Sequence, residues 1–192
     1  ESQETVLHKL AGRTEPGAAY LADELVPLVG LDVTTEDGLM PIHTACKEAN
    51  CAMVEVFLKQ GSSVDALDGE GNSCLHHACE ARYHASSVVQ VLLSNGAQVG
   101  VTNSEGCSPL HVACKNLDMP ELKKVVEMLL AAGADVNAMD DSQHPPLYHL
   151  VQNSACTVEV MELVATGIDV TEADYVFQTC DSGPDQAASI IQ

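Results

Sequence analysis

Two short phrases recur in phase along this chain, and that periodicity constrains its fold more than any other feature. Aligned on a histidine, "TVLHKL", "MPIHTA", "SCLHHA", "SPLHVA" and "PPLYHL" place His8, His43, His76, His111 and Tyr148 at intervals of 35, 33, 35 and 37 residues. A second phrase follows each of them: "GLDV" at 30, "GSSV" at 61, "GAQV" at 96, "GADV" at 133 and "GIDV" at 167. Two independent markers on one period describe a stacked array, because a unit of this length cannot bury both its faces alone.

The local signals within each unit are consistent with one another. A turn carrying Gly38, Gly71 or Gly106 comes first, where a residue without Cβ takes positive φ cheaply. A Ser and a Pro then open a helix, as in "SPLHVAC", where Ser108 is expected to cap orphan amides and Pro109 fits the first turn. A second helix follows with apolar spacing such as Val125, Val126, Leu129 and Leu130, and Gly61, Gly96, Gly133 and Gly167 are expected to end these second helices.

With these residues in view, "EGCSPLHVAC", "VVEMLLAAGADVNAMD" and "LMPIHTACKEANCAMVEVFLKQG" resemble the ankyrin-repeat family over about residues 5 to 170. The resemblance implies an all-α solenoid of about five helix-turn-helix repeats with short β-turn fingers. The repeats are expected at about 1–34, 35–67, 68–102, 103–139 and 140–170 of a single domain, with 171–192 as a degenerate sixth or capping unit. It also implies that the motif histidines hold their turns through hydrogen bonds to nearby backbone. The fifth unit departs from the pattern: Gln143 replaces the turn glycine and Tyr148 the histidine, so its packing is expected to differ.

Composition narrows the function classes. Hydrophobic residues make up 46% of the chain, enough for a core, but only 3% are aromatic and Trp is absent, which suits close-packed helices of small side chains. A net charge of -20 repels phosphate backbones and anionic lipid and favours basic partners, so nucleic-acid binding is not expected. No apolar run reaches the roughly 18 to 20 residues that span a bilayer, so direct membrane insertion is not expected either. The chain starts without Met and ends inside an apolar pattern, and reads as a piece of a longer protein.

The stretch "SCLHHAC" raises the question of metal or thiol chemistry. Histidines that recur once per layer stand about 8–10 Å apart, too far to share a zinc whose ligands lie near 2 Å. Within the stretch His76 and Cys79 share a helix face, while Cys74 and His77 point elsewhere. No metal site, cofactor or catalytic residue is therefore expected. Cys46, Cys79 and Cys114 fill a slot between packed helices. At roughly 10 Å per layer they exceed the Cα separation of about 7 Å that a disulfide allows, which points to free thiols in a reducing compartment. The protein is expected inside the cell, in the cytoplasm or alternatively the nucleus. Cys51, Cys107 and Cys156 sit at less regular positions and are expected nearer the surface.

The resemblance implies that a protein or peptide partner lies along the turn tips and the outer side of the first helices. The matching positions are Glu36, Asp37, Leu39, Lys47 and Glu48; Leu67, Glu70, Asn72 and Glu80; Thr102, Ser104, Glu105, Lys115 and Asn116; and Met139, Asp141 and His144. Carboxylates alternate there with isolated apolar residues, a surface suited to a basic, partly hydrophobic partner with Leu39, Leu67 and Met139 as anchors. The alternative is a regulatory or spacer section of a larger signalling, channel or enzyme protein that takes no ligand of its own.

Overall fold

The computed structural model describes residues 5–81, 83–116, 118, 121–154 and 157–165, which leaves Gly167, Cys156 and the expected unit at 171–192 outside the described residues. The described part is all-helical: α1 (Val6–Ala11), α2 (Pro16–Val29), α3 (Pro41–Lys47), α4 (Cys51–Lys59), α5 (Cys74–Glu80), α6 (Ala85–Ser94), α7 (Pro109–Asn116), α8 (Glu121–Ala131), α9 (Pro146–Gln152) and α10 (Val158–Ala165). Each odd-numbered helix packs on the even-numbered helix that follows it. The odd helices also pack on one another in series, as do the even ones, so five helix pairs stack one on the next, each pair a layer. Among the described residues no helix is long and apolar enough to cross a membrane.

The core follows the repeat. The residue before each motif position, Leu7, Ile42, Leu75, Leu110 and Leu147, is buried in every unit. Ala45, Ala78 and Ala113, with Cys46, Cys79 and Cys114 beside them, are fully buried where successive helices press together, so only a small side chain fits. The second helices contribute Met53, Val54 and Phe57, then Val88, Val89 and Leu92, then Val125, Val126 and Leu129. Of the four residues expected on that face of α8, only Leu130 is left partly exposed.

Between the helix pairs the backbone forms short fingers. Inside each finger the first residue's N–H donates to a carbonyl four residues on, as in Thr35 to Leu39, Asp68 to Asn72, Asn103 to Cys107 and Asp140 to His144. Each finger then bonds to the next through Gly69 N–H to Asp37 O, Ser104 N–H to Glu70 O and Asp141 N–H to Glu105 O, at 2.8–3.0 Å. Glycine is required here for two reasons. Gly38 has a φ of 75°, and a Cβ on it would lie 2.5 Å from the Gly69 nitrogen of the neighbouring finger. Gln143, in the glycine position of the fifth unit, takes a φ of 63° and bears the strain of a side chain there.

The motif histidines do more than hold their own turns. His76 Nδ1 accepts the Ser73 N–H at 3.0 Å, so the imidazole itself caps α5, and its Nε2 stands 2.9 Å from the carbonyl of Cys107 in the next finger. His111 repeats this with Ser108 N–H and the carbonyl of His144, and His8 with Thr5 N–H and the carbonyl of Leu39. His43 accepts from Met40 N–H and reaches the carbonyl of Ala66. An Nδ1 that accepts from an amide carries no proton, which assigns the Nε2–H tautomer and makes each ring a donor to the next layer. The Ser108 hydroxyl lies 2.8 Å from His111 Nδ1, as Ser73 Oγ does from His76 Nδ1, so serine and imidazole meet at the start of each of these helices. In the fifth unit Pro145 holds the same N-cap position. It has no N–H to satisfy, so Tyr148 replaces histidine without orphaning a donor.

Burial, opposed by the Cys107 carbonyl, holds the His76 imidazole below its ordinary value, and burial with neighbouring His149 does the same for His111. His43 moves the other way. Burial would lower it, but the Cys74 sulfur and the Ala66 carbonyl outweigh burial and raise it. A histidine depressed in the folded state contributes stability that is complete above its unfolded value and lost as pH falls through the folded one.

Two outcomes test this framework. Gly38→Ala is expected to destabilise by about 1–3 kcal/mol from backbone strain alone, plus a steric penalty against Gly69. Gly61→Ala, at a φ of 103° with open space around it, lacks that steric penalty, so chemical denaturation should rank the two clearly. His76→Gln should lower the melting temperature throughout. It should also flatten the fall in melting temperature between about pH 7.5 and 5.5, the window around the unfolded histidine value of about 6.5; an unchanged slope would remove His76 from the account.

Candidate interaction surface

The finger ladder brings the turn-tip residues into line. Glu36 and Asp37, Glu70, Ser104 and Glu105, and Asp141 are all exposed, one group per layer, on backbone whose register is fixed by the finger-to-finger bonds. Thr102 is exposed beside them, and Lys47, Glu48, Lys115 and Asn116 are exposed at the ends of α3 and α7. Lys47 and Glu80, from adjacent layers, pair at 3.4 Å across the strip. With both side chains partly in water this ion pair contributes at most about 1 kcal/mol.

Other expected residues are placed differently. Of the three apolar anchors only Leu67 stands well out, at 48% exposure, whereas Leu39 and Met139 are half-buried. Asn72 is buried and does not face outward at all. Its side chain donates to Asp68 Oδ2 at 3.1 Å and accepts from Asn103 Nδ2 at 2.8 Å, so it ties two fingers together. His144 is half-buried, its ring stacked flat on Tyr148 at a centroid distance of 3.7 Å. Cys107, expected nearer the surface, is buried, while Cys51 is half-exposed as its position suggested.

The structure also brings together residues that the repeat pattern did not single out. Asp68 accepts the N–H groups of Glu70 and Asn72 on Oδ1 and faces His77 Nε2 at 2.9 Å with Oδ2. Asp140 does the same with Ser142 N–H, His144 N–H and His149 Nε2. Burial pushes both carboxyls up, but the amides and the facing imidazoles outweigh it and hold Asp68 and Asp140 below the usual carboxylate range. His77, set aside above as pointing away from His76, is thus an anchor for its finger. The available signal was the spacing: Asp68 to His77 and Asp140 to His149 are both nine residues apart.

Two further groups matter. Tyr83, 76% exposed in the loop after α5, borders a cleft with Lys47, Glu48, Glu80 and His84, and adds an aromatic surface to the strip. Cys46 and Cys74, from different slots of adjacent layers, come close enough for their thiols to interact: burial pushes Cys46 up, while Cys46 and His43 beside it hold Cys74 down, at about 6. The two cysteines occupy unlike slots, so the spacing between like slots does not keep them apart. Both remain free thiols, as do Cys51, Cys79 and Cys107.

Comparison with known proteins agrees with this geometry. A family model described as ankyrin repeats in three copies matches residues 7–103 and 81–174. The B-cell lymphoma 3 protein homolog of Mus musculus is similar to this chain, 32% identical over 178 residues that cover 91% of the chain and 39% of the relative. The chain thus spans well under half the length of that curated relative. Repeated helix pairs, stitched fingers and these matches lead to one conclusion: the chain belongs to the ankyrin-repeat family.

Proposed function

We propose that this chain is a non-catalytic interaction module that takes a basic, partly apolar protein or peptide along its fingers and first helices. The observation that carries the reading is the line of exposed carboxylates at Glu36, Asp37, Glu70, Glu105 and Asp141, held in fixed register by the finger ladder. A backbone already in register needs no reordering to present these carboxylates to a line of cations, so that part of the ordering cost of association is avoided. Leu67 and Tyr83 supply apolar contact between the charges. Lys47 and Lys115 break the acidic field and favour a partner with acids at matching points. The net charge of -20 acts against nucleic acid and anionic membranes as alternatives. Buried free thiols in the packing slots support a reducing compartment, and with it a module that works inside the cell.

A regulatory or spacer section of a larger protein is the second reading, favoured by the coverage of only 39% of the similar mouse protein. The two differ in what the strip should capture. In pull-downs with the purified chain, a basic partner should be released as salt rises from about 0.1 to 1 M, where the screening length shrinks from roughly 10 to 3 Å. It should also be lost from a Glu36→Lys, Glu70→Lys, Glu105→Lys variant of unchanged helicity. Capture that ignores both treatments would refute the acidic-strip reading, and absence of any salt-sensitive capture would favour the spacer.

A further inference from the structure

The fourth and fifth layers meet at a cleft lined in part by Glu105, Cys107, Lys115, Asp140, His144 and His149. Within it one donor atom each from Cys107, Asp140 and His149 lie within 4.8 Å of one another, and no other such trio occurs among the described residues. We propose that these three side chains bind a divalent transition-metal ion of the zinc class. Thiolate, carboxylate and imidazole are all zinc donors, and three protein ligands leave a fourth position of the tetrahedron open to the cleft.

Each donor is already held in place. Cys107 is fixed from both sides, its N–H donating to Asn103 Oδ1 at 3.0 Å and its carbonyl accepting from His76 Nε2 at 2.9 Å. Asp140 uses Oδ1 for the amides of Ser142 and His144, which orients the carboxylate and leaves Oδ2 facing His149 Nε2. His149 lies in α9, its ring edge-on to those of His111 and His144. Outer bonds of this kind are what metal sites use to aim their ligands. On binding, the Cys107 thiol releases its proton to solvent. The His149 proton moves from Nε2 to Nδ1, so that Nε2 coordinates and Asp140 exchanges a hydrogen bond for the cation. The ring of carboxylates, Glu105, Asp140 and Asp141 against the single Lys115, favours a positive charge there.

The chain contains its own control. Asp68 and His77 repeat the Asp140 and His149 pair in the third layer, but the slot that Cys107 fills is occupied there by Leu39. The carboxylate and imidazole alone are therefore a finger clamp, and the thiol is the addition that makes a site. None of the three is a motif histidine, so the roughly 8–10 Å between like positions of successive layers does not separate them. An ion here would join the finger before α7 to the fifth unit, the one that lacks both the turn glycine and the bridging histidine.

Cobalt(II) titration of the chelator-stripped, reduced chain tests the site. One equivalent should bind with a thiolate-to-cobalt charge-transfer band, and zinc should displace it. Cys107→Ser should abolish the band and His149→Gln should weaken cobalt binding at least tenfold, while His77→Gln should leave both unchanged. No cobalt uptake, or a band that survives Cys107→Ser, would overturn the proposal. If circular dichroism finds Cys107→Ser unfolded, His149→Gln decides: cobalt affinity equal to that of the parent chain sinks the site.

Discussion

The first four layers depend on an imidazole that serves two units at once. In His8, His76 and His111 the Nδ1 closes the N-terminus of one helix and the Nε2 donates to a carbonyl in the following finger. A buried ring left without either partner would strand an amide or a carbonyl, at about 1–3 kcal/mol for each group. The same atoms therefore couple local helix formation to stacking, and a unit gains its cap and its neighbour together. This coupling makes the short helices viable: α1, α3, α5 and α9 run to only six or seven residues, well below the length at which an isolated helix is stable.

The finger ladder is the second consequence of that coupling. Once the imidazoles fix the distance between layers, the fingers stand close enough for amide to meet carbonyl, and the approach is so tight that a Cβ at Gly38 or Gly106 would collide with the next finger. The fifth unit shows what happens when the rule is relaxed in a coordinated way. Pro145 removes the amide that a histidine would have capped, Tyr148 stacks on His144, and Gln143 keeps the positive φ of the missing glycine. The finger geometry persists because Asp140 takes over the amides of its own turn and receives His149.

Much of this was legible in the sequence because it repeats. The histidine and glycine phrases locate the helix pairs, the positive-φ turns and the small-residue slots, since a periodic pattern samples one structural position several times. Features that depend on contact between unlike slots were not legible. Nothing in the spacing of "SPLHVAC" says that the Ser108 hydroxyl lies against the His111 ring. Asn72 looked like a strip residue since it neighbours Glu70. Its burial follows from Asn103 and Asp68, whose proximity exists only after the layers stack. The Cys46 and Cys74 contact and the cluster of Cys107, Asp140 and His149 are hidden for the same reason.

The acidic strip and the cleft between the fourth and fifth layers have a common physical origin. The first residue of each finger must offer an acceptor to its own turn, and the side chains chosen are Thr35, Asp68, Asn103 and Asp140. Where that acceptor is a carboxylate, burial demands a compensating donor, and a histidine nine residues on supplies it. Where it is Asn103, no charge needs compensation, and the amide is free to bond Asn72 of the preceding finger. The exposed carboxylates one or two positions further along carry no such obligation. Their charge therefore stays available to a partner along the strip, whereas Asp68 and Asp140 turn theirs toward the amides of their own turns and the histidine nine residues on.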